Sequence, residues 1–368
     1  MISKKPFDFW LFMVVLILVS FGLIMVFSAS SPSAYEMYDD IYFYLKSQAK
    51  FALLGFVAMI VIMNINYHKY ARWTIHLLIL SIILLILVLI PGIGRSEKGA
   101  WRWIYIGPIN FQPSEIAKIA LIMFFANSLS KRKDQLRYFF KGLLPYLVLI
   151  GIFAGLLLME PHLSCTMIIV AVCVIMLFCA GAKIKHFIII GAPALVGLIA
   201  LIIFVDYRRD RLLSFLDPFK YQTDIGYQIV QSLYAIGSGG LFGRGLGKSL
   251  QKFLYLPESH NDFIFSVLAE ELGFLGVLLV MLLFLVFIWR GVKIAINAPD
   301  AFGSLIAVGI TSLISVQVLM NIAVVTSSIP PTGVSLPFFS AGGTSLVILM
   351  SSVGVLLNIS KYSKYERL

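Results

Sequence analysis

The sequence predicts an all-α polytopic integral membrane protein with ten transmembrane helices. Three observations lead there. Of its 368 residues, 60% are hydrophobic and 13% charged, where an ordinary soluble domain carries about 25% charged residues. The apolar residues come in runs near the roughly 20 residues that cross a hydrocarbon core. The charges fall between those runs. Helices are expected because a lipid-exposed segment must satisfy its own backbone groups.

The expected spans, in order, are 9–30, 48–64, 74–91, 113–129, 142–159, 163–180, 186–205, 261–289, 302–327 and 343–358. Lys4 and Lys5 before the first run resemble a signal peptide, but the run is too long and lacks a clear cleavage site, so a retained helix is expected. The fourth span is polar, with Pro113 where a helix can begin and Glu115 in its first turn. Glu160-Pro161-His162 breaks the chain between the fifth and sixth. Cys165, Cys173 and Cys179 show no metal-ligand spacing and read as packing residues.

Ten spans starting from a cytoplasmic N-terminus place both termini inside. Lys69, Arg72, Lys131, Arg132, Lys133, Arg137, Lys141, Lys183, Lys185, Arg290 and Lys293 then lie inside as well, as the positive-inside rule requires. The whole chain, 1–368, reads as one membrane domain, with a large extracytoplasmic loop at 206–260 between the seventh and eighth helices. The net charge of +11 would suggest nucleic acid in a soluble chain. Here anionic lipid is the expected partner and nucleic acid is not.

Ionisable residues at membrane depth are expensive and need a reason. Glu115 and Lys118 share a helical face, which fits an ion pair or a lysine facing a substrate phosphate. Asp262 begins the eighth span close behind Glu258 and His260. It fits a helix cap or a general base. Glu270 and Glu271, about two turns deeper, read as structurally paired. Arg102, between Trp101 and Trp103, fits an interfacial belt or a phosphate site. Glu160 fits a cavity carboxylate or a helix end. The loop 206–260 holds Arg209 and Arg211, then a glycine-rich run around Arg244 that fits either a diphosphate cradle or packed turns. The Pro- and Gly-rich segment 328–344 fits a rigid or re-entrant cap. These features gather on the outer side, away from nucleotides. They suit an enzyme using a lipid-linked phosphate substrate, a transporter or flippase, or a scaffold.

Several stretches together carry a resemblance. They are Gly99-Ala-Trp-Arg-Trp103, Phe111-Gln-Pro-Ser-Glu-Ile-Ala-Lys118, the run from Gly226-Tyr-Gln to Gly247, Leu256-Pro-Glu-Ser-His-Asn-Asp-Phe-Ile-Phe265, Glu270-Glu-Leu-Gly-Phe274 and Pro331-Thr-Gly-Val-Ser-Leu-Pro-Phe-Phe-Ser-Ala-Gly-Gly343. In this order and spacing the chain resembles the SEDS family of bacterial cell-wall proteins, its FtsW and SpoVE branches more than its RodA branch. The resemblance implies a peptidoglycan glycosyltransferase that polymerises lipid II into β-1,4-linked glycan at the outer face of the bacterial cytoplasmic membrane, in division or sporulation. It puts the family's essential aspartate at Asp262 and its conserved outer-loop tryptophan at Trp103. The expected partners are lipid II, a polyprenyl-diphosphate glycan, a class B penicillin-binding protein and other divisome or sporulation membrane proteins.

Under that reading Asp262 is catalytic. Arg102, Trp103, Glu115, Lys118, Glu160, Arg209, Arg211 and Arg244 bind substrate. No cofactor is required; a divalent cation, Mg or Mn, stays open, since no ligand set demands one. The chain departs from the family where Glu160-Pro161 is followed by His162 in place of the usual aspartate. Asn261 replaces a usual threonine, and Ala341 a usual tyrosine.

Overall fold

A computed structural model describes residues 6–363 except 98–99, 108, 133–134, 137, 190, 192–196, 198–213, 222–225 and 254. Among the described residues ten α-helices of 13 residues or more build the scaffold: α1 (Phe9–Tyr38), α2 (Phe43–Asn64), α3 (Thr74–Val88), α4 (Pro113–Lys131), α5 (Leu144–Met159), α6 (Leu163–Cys179), α7 (Tyr227–Gly239), α8 (Ile264–Asn297), α9 (Ala301–Val325) and α10 (Gly343–Ser360).

The expected count of ten transmembrane helices does not hold. Among the described residues six helices are long and apolar enough to cross a membrane: Phe9–Tyr38, Phe43–Asn64, Phe139–Met159, Ile264–Asn297, Ala301–Val325 and Gly343–Ser360. The third and sixth expected spans are shorter apolar helices, Thr74–Val88 and Leu163–Cys179. The turn after α3 at Pro91 and Gly92 cuts the first of them, and the break at Pro161 limits the second. The fourth, α4, has 19 residues but carries Glu115 and Lys118. It is sheathed by protein: α3, α6 and α9 all pack on it. The seventh, 186–205, falls largely outside the described residues, as do Arg209 and Arg211. The remaining architecture is an all-α, multi-pass membrane bundle.

One small sheet interrupts it. β1 (Gly94–Glu97), β2 (Ala100–Ile106) and β3 (Ile109–Phe111) form an antiparallel sheet in the order β1-β2-β3, with Ile104 opposite both Gly94 and Phe111. The cause is local. Trp101-Arg-Trp-Ile-Tyr-Ile106 alternates aromatic and β-branched residues that suit a pleated, half-buried surface. Ala100 and Ile104 are buried, and a register shift opposite Arg95 and Ser96 makes Arg102 the extra, bulged residue of β2. Arg95 lies 4.7 Å over the Tyr105 ring.

The two ends of the bundle differ. At one, Asp8 caps α1 by accepting from the Leu11 amide, donates its own amide to Ser360 Oγ at 2.9 Å and holds the Arg290 guanidinium. Asp300 there accepts from the Tyr67 hydroxyl at 2.9 Å and meets His68. Lys69, Arg72, Lys131, Lys141, Lys293 and Lys361 belong to the same end. At the other end lie the sheet, the starts of α4, α6, α8 and α10, and the finish of α5 and α9. Every candidate site residue within the described range lies toward that second end.

Candidate active site

Asp262 sits in a turn before α8. Asp262 stands one residue before the cap position, Phe263, which makes no side-chain cap hydrogen bond. The turn is clamped from outside. Asn321 on α9 donates its amide nitrogen to the Asp262 carbonyl at 2.8 Å and to the Val334 carbonyl at 2.6 Å. The Ser340 hydroxyl donates to the Asn261 carbonyl at 2.8 Å, and the Ala341 amide donates to the His260 carbonyl at 3.0 Å. Gln48 of α2 donates to the Ser340 carbonyl, and the Tyr44 ring lies 4.6 Å from that of His260. The Pro- and Gly-rich segment is therefore a rigid cap fastened to the Asp262 turn.

A second polar group lies at the start of α4. Lys118 Nζ donates to Glu115 Oε1 at 2.8 Å, with both side chains more than nine-tenths buried. Beside it stands the break between α5 and α6. Glu160 is fully buried, and neither carboxylate oxygen has a hydrogen-bond partner. Burial pushes its carboxyl up to about 8, against the opposing pull of Arg102. His162 is driven down to about 3 by burial, with Arg102 and Lys118 adding to the shift. Position 162 therefore carries a neutral imidazole where the family's usual aspartate would bring a carboxyl. Arg102 reaches across from β2 and donates to the backbone carbonyls of Glu160 and Pro161 at the C-terminus of α5, an end that favours cations.

The structure thus brings together Arg102, Glu115, Lys118 and Glu160. Trp103 is the next residue of β2, opposite Arg95. α9 connects this group to Asp262. Leu313 lines a small apolar cavity with Lys118 and Cys173, and Asn321, which holds the Asp262 turn, lies two turns further, about 12 Å along the helix.

Arg244 lies elsewhere. Its guanidinium is 3.7 Å from Glu270. Glu270 also accepts from Ser249 Oγ at 2.5 Å and the Leu250 amide at 2.9 Å. Glu271 accepts from Ser28 Oγ and is paired with the buried Lys252 at 2.9 Å. The two glutamates are structurally paired, as their sequence positions suggested. The glycine run serves this joint. α8 kinks at Gly273, φ 65°, and Gly243, φ 77°, packs backbone to backbone against it. A Cβ at either glycine would strike main-chain atoms of the other segment. Packed turns account for these glycines.

Sequence reasoning missed Asn321, Gln48 and Lys252. The first carried a signal: an amide in an apolar helix requires partners. Among the described residues no group of three or more His, Cys, Asp or Glu is placed to hold a metal.

Comparison with known proteins decides the family. The cell cycle protein family of FtsW, RodA and SpoVE matches residues 9–365. The chain belongs to this family. Stage V sporulation protein E of Bacillus subtilis (strain 168) is 46% identical over 363 residues, 99% of each chain. The probable peptidoglycan glycosyltransferase FtsW of Geobacter sp. (strain M18) is 46% identical over 356 residues, 97% of each. Among solved structures, a chain from a peptidoglycan synthase complex that coordinates polymerization and crosslinking aligns with a TM-score of 0.80 at 27% identity, covering 96% of this chain and 97% of that one. The rod shape determining protein RodA of Thermus thermophilus aligns with a TM-score of 0.72 at 27% identity, covering 98% of each. Identity is higher to the FtsW and SpoVE relatives than to these two solved chains.

Proposed function

We propose that Asp262 is the general base of a peptidoglycan glycosyltransferase that polymerises lipid II at the outer face of the bacterial cytoplasmic membrane. The chain is a multi-pass membrane glycosyltransferase of the FtsW, RodA and SpoVE family, working as one membrane domain with 206–260 as its large loop. The basic residues at the far end of the bundle favour the cytoplasm. The Asp262 end then meets the outer leaflet, where a lipid-linked sugar is available without nucleotides.

The observation that carries the reading is Asp262 itself. It is a partly exposed carboxylate in a turn clamped by Asn321. A fixed carboxylate suits proton abstraction. It takes the proton of the 4-hydroxyl of the N-acetylglucosamine on lipid II as that oxygen attacks the anomeric carbon of the growing chain. The α-linked polyprenyl diphosphate leaves and the new bond is β-1,4, so configuration inverts, as in the base half of an inverting glycosidase. Diphosphate leaves without a strong acid, but its charge needs cations. Lys118 and Arg102 stand at the same end for that task. Arg209, Arg211 and Arg244 are further cations for the lipid phosphates, and Trp103 and Glu160 complete the substrate-binding set.

Such an enzyme extends strands and leaves crosslinking to another protein. The solved relative that belongs to a synthase complex coordinating polymerization and crosslinking supports a crosslinking partner here too, a class B penicillin-binding protein with other divisome or sporulation membrane proteins. Polymerisation of lipid II by purified protein, with and without that transpeptidase, tests the reading. Lipid movement without glycan product would contradict it.

A further inference from the structure

Gly333 lies in the cap that covers the Asp262 turn, and its lack of a side chain has a specific consequence. Among the described residues, a Cβ built there would sit 2.8 Å from Asp262 Oδ2 and within 4 Å of nothing else but the carboxyl carbon of the same side chain. Other close-packed glycines behave differently: a Cβ at Gly22 or Gly239 would strike backbone. Nor does conformation call for glycine at 333, whose φ lies outside the left-handed region. Gly333 is itself exposed. Gly333 thus adjoins the carboxylate of Asp262 directly.

Two acceptors without a partner belong to residues that adjoin this contact, one next to Gly333 in sequence and one bonded to the Asp262 backbone. Asn321 is fully buried, and its amide nitrogen is committed to the carbonyls of Asp262 and Val334. That fixes the amide orientation and leaves Oδ1 with no partner. Thr332, the residue before Gly333, has a buried Oγ1 that also lacks one. Buried polar atoms in a native protein are nearly always satisfied, so two orphans on residues adjoining the Asp262 turn and Gly333 call for a ligand or a water. Their chemistry restricts the ligand. An amide oxygen accepts and cannot donate, and a threonine hydroxyl does either. A sugar, rich in hydroxyl and amide donors, suits them.

We propose that Gly333, Thr332 and Asn321 frame the subsite of the sugar whose hydroxyl attacks, Gly333 keeping one flank of Asp262 open and the other two accepting hydrogen bonds from the pyranose. This rests on the reading of Asp262 as the base. Gly333 determines access: a methyl group there covers the carboxylate oxygen that must meet the hydroxyl. Thr332 and Asn321 determine how the ring lies against it.

Full-length protein reconstituted in nanodiscs tests the subsite by two readouts. The first is labelling of Asp262 by a water-soluble carbodiimide with a small amine, mapped by mass spectrometry, with and without lipid II. Wild type should label at Asp262, and lipid II should protect it. Gly333→Ala should lose the label while keeping the wild-type unfolding temperature. The second readout is lipid II polymerisation, in which Gly333→Ala should fall at least about tenfold, the scale on which one methylene is felt in a fitted site. Thr332→Val, which keeps shape and removes the acceptor, should raise KM for lipid II by about tenfold with kcat little changed. An unlabelled wild type, a Gly333→Ala protein labelled or active like wild type, or an unchanged KM in Thr332→Val would each overturn the subsite. If Gly333→Ala unfolds, conformation governs that position, its part is overturned, and Thr332→Val decides the rest. Asp262→Asn is run beside them. Wild-type polymerisation by that variant would overturn the base itself, a failure distinct from that of the subsite.

Discussion

The side-chain amide of Asn321 donates to the backbone carbonyl of Asp262 at 2.8 Å and to that of Val334 at 2.6 Å. One buried side chain thus ties α9, the turn before α8 and the cap segment into a single unit. Asn321→Leu keeps the volume and removes both donors. It should lower stability by about 1–3 kcal/mol for the carbonyls left unpaired and reduce polymerisation more steeply than that loss explains, because Asp262 is no longer fixed. Thermal unfolding and turnover measured on one preparation check the two effects.

Lys118 and Glu115 are a buried pair at 2.8 Å. Lys118→Met strands the Glu115 carboxylate in protein, at a cost of about 3–5 kcal/mol. The double variant Glu115→Gln, Lys118→Met removes the stranded charge and should recover most of the stability. Polymerisation should stay low in the double variant if Lys118 is, as proposed, a cation for the diphosphate. Recovery of activity together with stability would make the pair purely structural.

The break between α5 and α6 gives a pH signature. The Glu160 carboxyl is raised from its ordinary value to about 8 by burial. Its contribution to stability is full below the unfolded value near 4.5 and is lost as pH rises through 8. His162 is lowered from 6.5 to about 3 by burial. Its contribution is full above 6.5 and is lost as pH falls toward 3. The two slopes oppose each other between about 4.5 and 6.5 and leave a net loss from there to pH 8. Glu160→Gln should flatten the loss above pH 6.5, and His162→Asn the loss below 4.5, in unfolding temperature followed against pH.

How far the sequence reaches is visible element by element. The long apolar helices α1, α8, α9 and α10 were legible because predominantly apolar runs near the length that crosses a hydrocarbon core have one interpretation. Pro113 placed the start of α4 correctly. What misled was treating each apolar run as an independent span: α4 is 19 residues with Glu115 and Lys118 buried in it, a helix sheathed by its neighbours. The β-sheet was passed over as loop, although the alternation from Trp101 to Ile106 announced it. Asp262 stood out from its place at the start of a span, beside Glu258 and His260, and from the family resemblance, but the clamp that Asn321 and Ser340 put on its turn lies in tertiary contacts that no local pattern contains. The same holds for the glycine run, whose purpose depends on a kink at Gly273 some thirty residues away.

That kink supplies another test. Gly243 and Gly273 meet backbone to backbone, and both have positive φ. Gly243→Ala should destabilise the protein by at least about 1–3 kcal/mol through strain and overpacking and loosen Glu270 and Glu271 from 249–252. Lys248→Ala, an exposed position on the same loop, should leave stability within about 0.5 kcal/mol of wild type. Unfolding in detergent distinguishes the joint from a phosphate cradle, which would show the reverse order in lipid II affinity.

The central claim is that Asp262 removes the proton of the attacking hydroxyl. Its most direct test is the rate of lipid II polymerisation by purified Asp262→Asn, with and without the transpeptidase partner, against wild type. Asparagine keeps the shape and removes the base. The rate should fall by about 10²–10⁴-fold at an unchanged unfolding temperature, with lipid II still bound. Polymerisation at the wild-type rate would contradict the account.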